Sequence, residues 1–202
     1  MTSVRQQNFL LRKEKILAMA ETLLLDNNQD ITLSELATEL DIAKGTIYKH
    51  FKSKNQLYLE LIILNETRLL EISQKHNNDI KTYVSEYMLY NMLNSNRTIL
   101  LHVIEERLTN NERKLKELFE KLYQIREQRI IEIKDMTSDY LKSLDSAMSI
   151  RDYLSYVWTV TYGASLLLNS THYQKSIGSR ERLIKLYVNQ ALMTPDKISH
   201  AA

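Results

Sequence analysis

Three glycines and one proline in 202 residues constrain this chain more than any other feature of its sequence. Glycine and proline are the strongest punctuators of local structure, so their scarcity leaves few places for tight turns. Such a chain favours long helices and has no room for the glycine-rich loops that cradle phosphates. Its apolar residues recur at helical spacing, and no alternating pattern of useful strand length occurs. The expected fold class is all-α. With 44% hydrophobic and 26% charged residues, the composition is that of an ordinary globular protein long enough to bury a core. The absence of cysteine excludes disulfides, thiol catalysis and cysteine zinc sites, and suits a reducing cytoplasm.

The periodicity predicts about nine helices. Residues 1–11 read as a loose arm, and a first helix fits residues 12–27, with Ile16, Ala20, Leu23 and Leu24 on one face. The polar cluster from Asp26 to Asp30 ends it. Thr32 reads as an N-cap, and Glu35 three residues later completes a capping box that opens a second helix over 33–40. After a turn at Asp41, Ile42 and Ala43, a third helix spans 44–51, anchored by Ile47 and Phe51 at i, i+4. Ser53 caps a long fourth helix ending near residue 76. Further helices are expected over 80–93, 97–108, 111–139, 150–169 and 179–193, with a frayed tail after Pro195. This organisation divides the chain into residues 1–53 and 54–202, with 54–76 as the connecting helix.

The segment from Thr32 to Phe51 carries an abrupt change of charge. Glu21, Asp26, Asp30, Glu35, Glu39 and Asp41 precede it without a single Lys or Arg among them. From Ile42 to Leu59 the charged residues are Lys44, Lys49, Lys52 and Lys54, with no acid. A short helix that turns basic, with Thr46, Tyr48 and His50 interleaved, suits phosphates and base edges. The net charge is only +2, so any nucleic-acid binding is local rather than a property of the whole surface.

These residues resemble the tetracycline-repressor (TetR) family of bacterial transcription regulators. The resemblance rests on the Thr32 cap, Leu36-Ala37, the run from Lys44 through Gly45, Thr46, Ile47, Tyr48, Lys49 and His50 to Phe51, and then Lys54 and Leu57. It covers about residues 12–60; the remainder resembles the family only in length and helical character. It implies a three-helix DNA-binding domain with a helix-turn-helix motif over about 32–51, followed by a helical ligand-binding and dimerisation domain. Three positions depart from the family pattern: Asp41 stands at the turn where Gly is usual, Ala43 where Ser often caps, and Asn28 where the first helix usually ends at Gly. Aspartate can visit the left-handed conformation, though less readily than glycine.

A helix entering a major groove needs a small residue at its tip and donors on its outer face. Gly45 permits close backbone approach, while Lys44, Thr46 and Lys49 project toward base edges. By the resemblance, Tyr48 and His50 serve phosphates. Lys54 lies in the first turn of the fourth helix, where its charge and the helix dipole both attract a phosphate. Thr32 and Ser34 are placed to clamp the opposing backbone, and Lys52 reads equally as a solvated side chain.

The last two long helices of the family pair with their symmetry mates, which implies a homodimer. Leu154, Val157, Thr161, Leu168, Leu183, Tyr187 and Ala191 are the candidates, although the same pattern fits an intrachain core. A dimer would read a near-palindromic double-stranded operator with half-sites about 34–36 Å apart. A family-like effector pocket is expected among Tyr87, Met88, Met92, His102, Phe119, Tyr123, Trp158 and Tyr162, residue types that more often simply fill a core.

The expected function is a dimeric, sequence-specific DNA-binding transcriptional regulator, a repressor released from its operator by a small-molecule effector. The alternative is a DNA-binding regulator or architectural protein controlled by a protein partner, which a densely packed second domain without a pocket would favour. An enzyme is not expected. His50, His76, His102, His172 and His200 are scattered without paired spacing, and no nucleophile elbow or phosphate loop occurs. No cofactor, metal or membrane association is expected, and a cytoplasmic location follows from the lack of a signal peptide or a long apolar run.

Overall fold

The computed structural model describes residues 4–27, 30–109, 112–176 and 178–198. Among the described residues the fold is all-α. The helices are α1 (Val4–Asn27), α2 (Leu33–Glu39), α3 (Lys44–His50), α4 (Lys54–Lys75), α5 (Ile80–Leu93), α6 (Ser95–Thr109), α7 (Lys116–Ser143), α8 (Ile150–Asn169), α9 (Thr171–Gln174) and α10 (Arg180–Ile198), with a 3-10 turn at Glu112–Lys114. The breaks expected at Asn28 and at Asn110-Asn111, and the residue His200, lie outside the described residues.

Four elements differ from the sequence expectation, one of them α7, which runs Lys116–Ser143 rather than 111–139. The first helix starts at Val4 rather than at residue 12, because residues 4–11 contain neither Gly nor Pro and the helical run is uninterrupted. A short tenth helix, α9, forms where Ser170 accepts a hydrogen bond from the Tyr173 N–H at 3.4 Å. The last helix passes through Pro195 instead of stopping before it. At that position the missing N–H removes one bond from the final turns.

The chain forms two compact units, Met1–Leu64 with Leu100–Lys121 and Asn65–Ile99 with Leu122–Ala202. In the first, Ile16, Ala20 and Leu24 of α1 are buried, as are Leu36 and Ala37 of α2 and Ile47 of α3. Phe51, Leu57 and Tyr58 are also buried. The ends of its elements are chemically defined. Thr32 Oγ1 accepts from the Glu35 N–H at 3.1 Å while Glu35 Oε2 accepts from the Thr32 N–H at 2.7 Å, forming the reciprocal capping box. Ser53 Oγ accepts from the Gln56 N–H at 3.1 Å and caps α4.

The turn between α2 and α3 is a Schellman motif. The Ile42 N–H reaches the Ala37 carbonyl at 3.0 Å, and the Asp41 N–H reaches Thr38 O at 3.1 Å. Asp41 supplies the left-handed residue, with φ of 50°. The same arrangement ends α7, where Asp145 has φ of 48° and Ser146 N–H bonds to Leu141 O at 3.0 Å. Twice, then, aspartate occupies the position that a glycine-poor chain leaves unfilled.

The second unit is built on α5, α8 and α10, which pack pairwise. Tyr83, Val84, Met88 and Met92 of α5 join Tyr153, Val157, Ala164 and Leu168 of α8 and Ile184 and Ala191 of α10 in one core. Asp79 caps α5 by accepting from the Lys81 N–H at 3.0 Å, and Ser149 caps α8 by accepting from the Asp152 N–H at 3.1 Å. Among the described residues no helix is long and apolar enough to cross a membrane.

Candidate nucleic-acid interface

Helix α3 divides cleanly between core and solvent. Ile47 is buried, and Phe51, its C-cap, closes the same inward face. Lys44, Gly45, Tyr48 and Lys49 are exposed, and Thr46 and His50 are half-buried. Three cations, Lys44, Lys49 and Lys52, therefore face water on or next to a helix of seven residues. Ala43 precedes the helix in an extended conformation and supplies no side-chain cap, while its carbonyl accepts from the Thr46 N–H at 2.7 Å. Thr32 and Ser34 are exposed at the start of α2, and Ser34 shares a concavity with Asp41, Ala43 and Lys44. Of the expected contacts, Ser34 of α2 and Lys44 of α3 are thereby brought to one concavity.

Gly45 has no internal reason to be glycine. A Cβ there would meet nothing within 4 Å, and its backbone is not left-handed. Glycine inside a helix costs roughly 0.5–1 kcal/mol relative to alanine. The packing of the chain does not account for that cost.

Two of the expected phosphate ligands have internal partners. The His50 ring stacks on Phe9 of α1 with centroids 4.1 Å apart, and its Nδ1 is buried without a hydrogen-bond partner among the described residues. Burial, reinforced by the nearby positive charges of Arg12 and Lys13, holds its pKa below the usual value for histidine. His50 is therefore a neutral ring at neutral pH, suited to donating one N–H rather than to supplying charge. Lys13 is itself paired with Glu60 and lies over the Phe51 ring. Lys54 sits 3.1 Å from the Asp30 carboxylate and over the Tyr58 ring.

Asp30 is the hub of this cluster. Arg107 donates to it through Nη1 at 3.3 Å and Nη2 at 3.2 Å, and the Tyr58 hydroxyl donates at 3.2 Å. Burial pushes the Asp30 carboxyl up, but the hydrogen bonds from Arg107 and Lys54 outweigh it and hold the pKa below the ordinary carboxylate value. Tyr58 also accepts from the Ile31 N–H at 3.1 Å, and burial raises its phenol to about 12.

The second unit contains a cleft of about 410 Å³ whose wall includes Tyr83, Tyr87, Arg129, Ile130, Ile133, Leu154, Ser155, Val157, Trp158 and Thr159. Of the expected pocket residues, Tyr87 and Trp158 line it. Met88 and Met92 are fully buried in the core, because their i, i+4 spacing turns both inward on α5. Tyr162 stacks on Trp158 at 5.5 Å, and Tyr123 is exposed. His102 and Phe119 belong to the first unit, where Phe119 is core. Sequence reasoning missed Tyr83 and Arg129; the pair Arg126 and Arg129 at i, i+3 on α7, beside the apolar Ile130 and Ile133, was the available signal.

The expected dimerisation residues are largely used inside the protomer. Val157, Thr161, Leu168 and Ala191 are buried, and Leu154, Leu183 and Tyr187 pack against the same core. Leu154, Leu183 and Tyr187 remain half-buried. The apolar residues that α8 and α10 leave exposed include Trp158, Leu166, Leu186 and Met193.

Residues 16–61 match the model of the family described as bacterial regulatory proteins, tetR family. The chain is also similar to the HTH-type transcriptional regulator QacR of Staphylococcus aureus (strain Mu50), with 34% identity over 82 residues. That alignment covers 40% of this chain and 44% of the relative, so it spans less than half the length of either.

Proposed function

We propose that this chain, which carries the N-terminal helix-turn-helix domain of the tetR family, is a dimeric, sequence-specific DNA-binding transcriptional regulator, a repressor that a small molecule releases from its operator. The observation that carries the reading is the sidedness of α3. Its large apolar residue is buried, while its lysines, Tyr48 and a glycine without internal purpose face outward. Lys44, Thr46 and Lys49 reach base edges, Gly45 lets the backbone approach, and Tyr48, His50, Lys54, Thr32 and Ser34 hold phosphates.

The homodimer forms through α8 and α10, using the exposed Leu166, Leu186 and Met193 together with the half-buried Leu154, Leu183 and Tyr187. The cleft of the second unit receives the effector. Control by a protein partner alone would require no such cleft, so its 410 Å³ favours a small molecule. Release requires that the effector bind the DNA-incompetent state more tightly; a preference of ~10⁴-fold moves the population almost completely.

Genome-wide selection of DNA fragments bound by the full chain tests the reading. Enriched near-palindromes with half-sites about 34–36 Å apart are expected. Fragments with no shared sequence, or binding by a monomer at all concentrations, would count against it.

A further inference from the structure

We infer that the cleft of the second unit takes a small carboxylic acid with an apolar tail, its carboxylate seated on Arg129; this rests on the effector reading above. Arg129 is the one charged side chain in the cleft wall, and no carboxylate lines it among the described residues. The nearest acid, Glu66, is shared. Its Oε1 accepts from Arg126 Nε at 3.1 Å and Nη2 at 3.0 Å. Arg129 Nη1 approaches Glu66 Oε2 at 3.1 Å, yet both atoms are buried without a hydrogen-bond partner among the described residues. Arg129 Nη1 thus faces its counter-charge in Glu66 without an aligned hydrogen bond to it.

A ligand carboxylate meets Arg129 as the one cation of the cleft wall. Close by, the Tyr87 ring lies 5.6 Å from the Arg129 guanidinium, and the Tyr83 ring is stacked on Tyr87. Burial raises both phenols, so their hydroxyls stay protonated and available as donors to an anion. Most of the remaining wall is apolar, with Ile130, Ile133, Leu154, Val157 and the indole of Trp158 beside the hydroxyls of Ser155 and Thr159. An anion without a tail would leave these surfaces wet, and a lipophilic cation would meet Arg129 with like charge.

Trp158 is the only tryptophan of the chain and lines the cleft, so its emission reports occupancy. Decanoate, decanol and decyltrimethylammonium, each below its micelle concentration, are titrated into the full chain. Decanoate is expected to bind more tightly than decanol by about tenfold to a hundredfold, the ratio that one hydrogen-bonded charged contact provides. In Arg129→Met, checked for fold by circular dichroism and thermal melting, decanoate falls to the affinity of decanol, and Arg129→Lys keeps part of the preference. The inference is overturned if decanol or the cation binds the wild-type chain as well as decanoate does, or if no probe alters Trp158 emission. Adding bound DNA separates the two readings. Decanoate that binds without changing DNA affinity sinks the effector role but not the ligand class. A cation that releases DNA while decanoate does not sinks the ligand class alone.

Discussion

The Lys54 ammonium lies 3.1 Å from the Asp30 carboxylate, in the first turn of α4, where the proposed interface needs a cation for a phosphate. The Asp30 side chain is about half exposed (52%), so the pair is weak, on the order of 1 kcal/mol or less. A DNA phosphate can therefore take Lys54 at small cost, and Asp30 acts as an intramolecular competitor for it. Asp30→Asn should raise affinity for all DNA sequences alike and steepen the dependence of log K on log salt by up to ~0.9. Lys54→Ala should do the opposite, and the double variant should match Lys54→Ala. Titrations at several salt concentrations decide it; a change in sequence preference alone would contradict these roles.

Gly45→Ala separates stability from binding. With nothing within 4 Å of the added methyl, the variant should be more stable by about 0.5–1 kcal/mol in denaturant unfolding. The same methyl stands between α3 and the groove, so DNA affinity should fall. A variant that gained stability and bound DNA unchanged would remove Gly45 from the interface.

His50 makes stability sensitive to mild acid. Its folded pKa lies below the 6.5 of a free histidine, so between those values the unfolded chain binds more protons. The stabilisation is complete above about pH 6.5 and is lost as pH falls toward the folded pKa. Asp30 and Glu35, whose pKa values are lowered, respond only at more acidic pH. Thermal melts from about pH 7.5 to 5 should therefore show a steeper loss for the wild type than for His50→Gln. Parallel slopes would show that the stacked ring titrates as an ordinary histidine.

Local chemistry was legible in the sequence, and partnership across the fold was not. The Thr32–Glu35 capping box, the Ser53 cap and the inward pair Ile47 and Phe51 depend on residues within one or two turns of each other, so spacing alone specifies them. Periodicity says that Met88, Val157 and Ala191 face inward, but not whether the interior they face is core, cleft or partner. All three turned out to be in one core. Charge sign marks Lys54 and Arg129 as cations, but their counter-ions Asp30 and Glu66 come from other elements. The early start of α1 reflects an unbroken helical composition over residues 4–11, which nearness to a terminus masks in the sequence.

Asp41 is where the turn departs from the family pattern and where one substitution tests the physics of that departure. Its φ of 50° places a residue with a Cβ in the left-handed region. That conformation costs roughly 1–2 kcal/mol for an L-residue, less for aspartate, whose short polar side chain tolerates it. Glycine removes the strain but loses roughly 0.5–1 kcal/mol of unfolded-chain entropy. The strain term wins narrowly, so Asp41→Gly should stabilise the chain by about 0.5 kcal/mol while the Ile42-to-Ala37 hydrogen bond persists. Asp41→Ala keeps the Cβ and loses the tolerance, and should destabilise by about 1 kcal/mol. Denaturant midpoints at constant slope measure both. If the glycine and alanine variants shift in the same direction, backbone strain is not what Asp41 contributes to the turn.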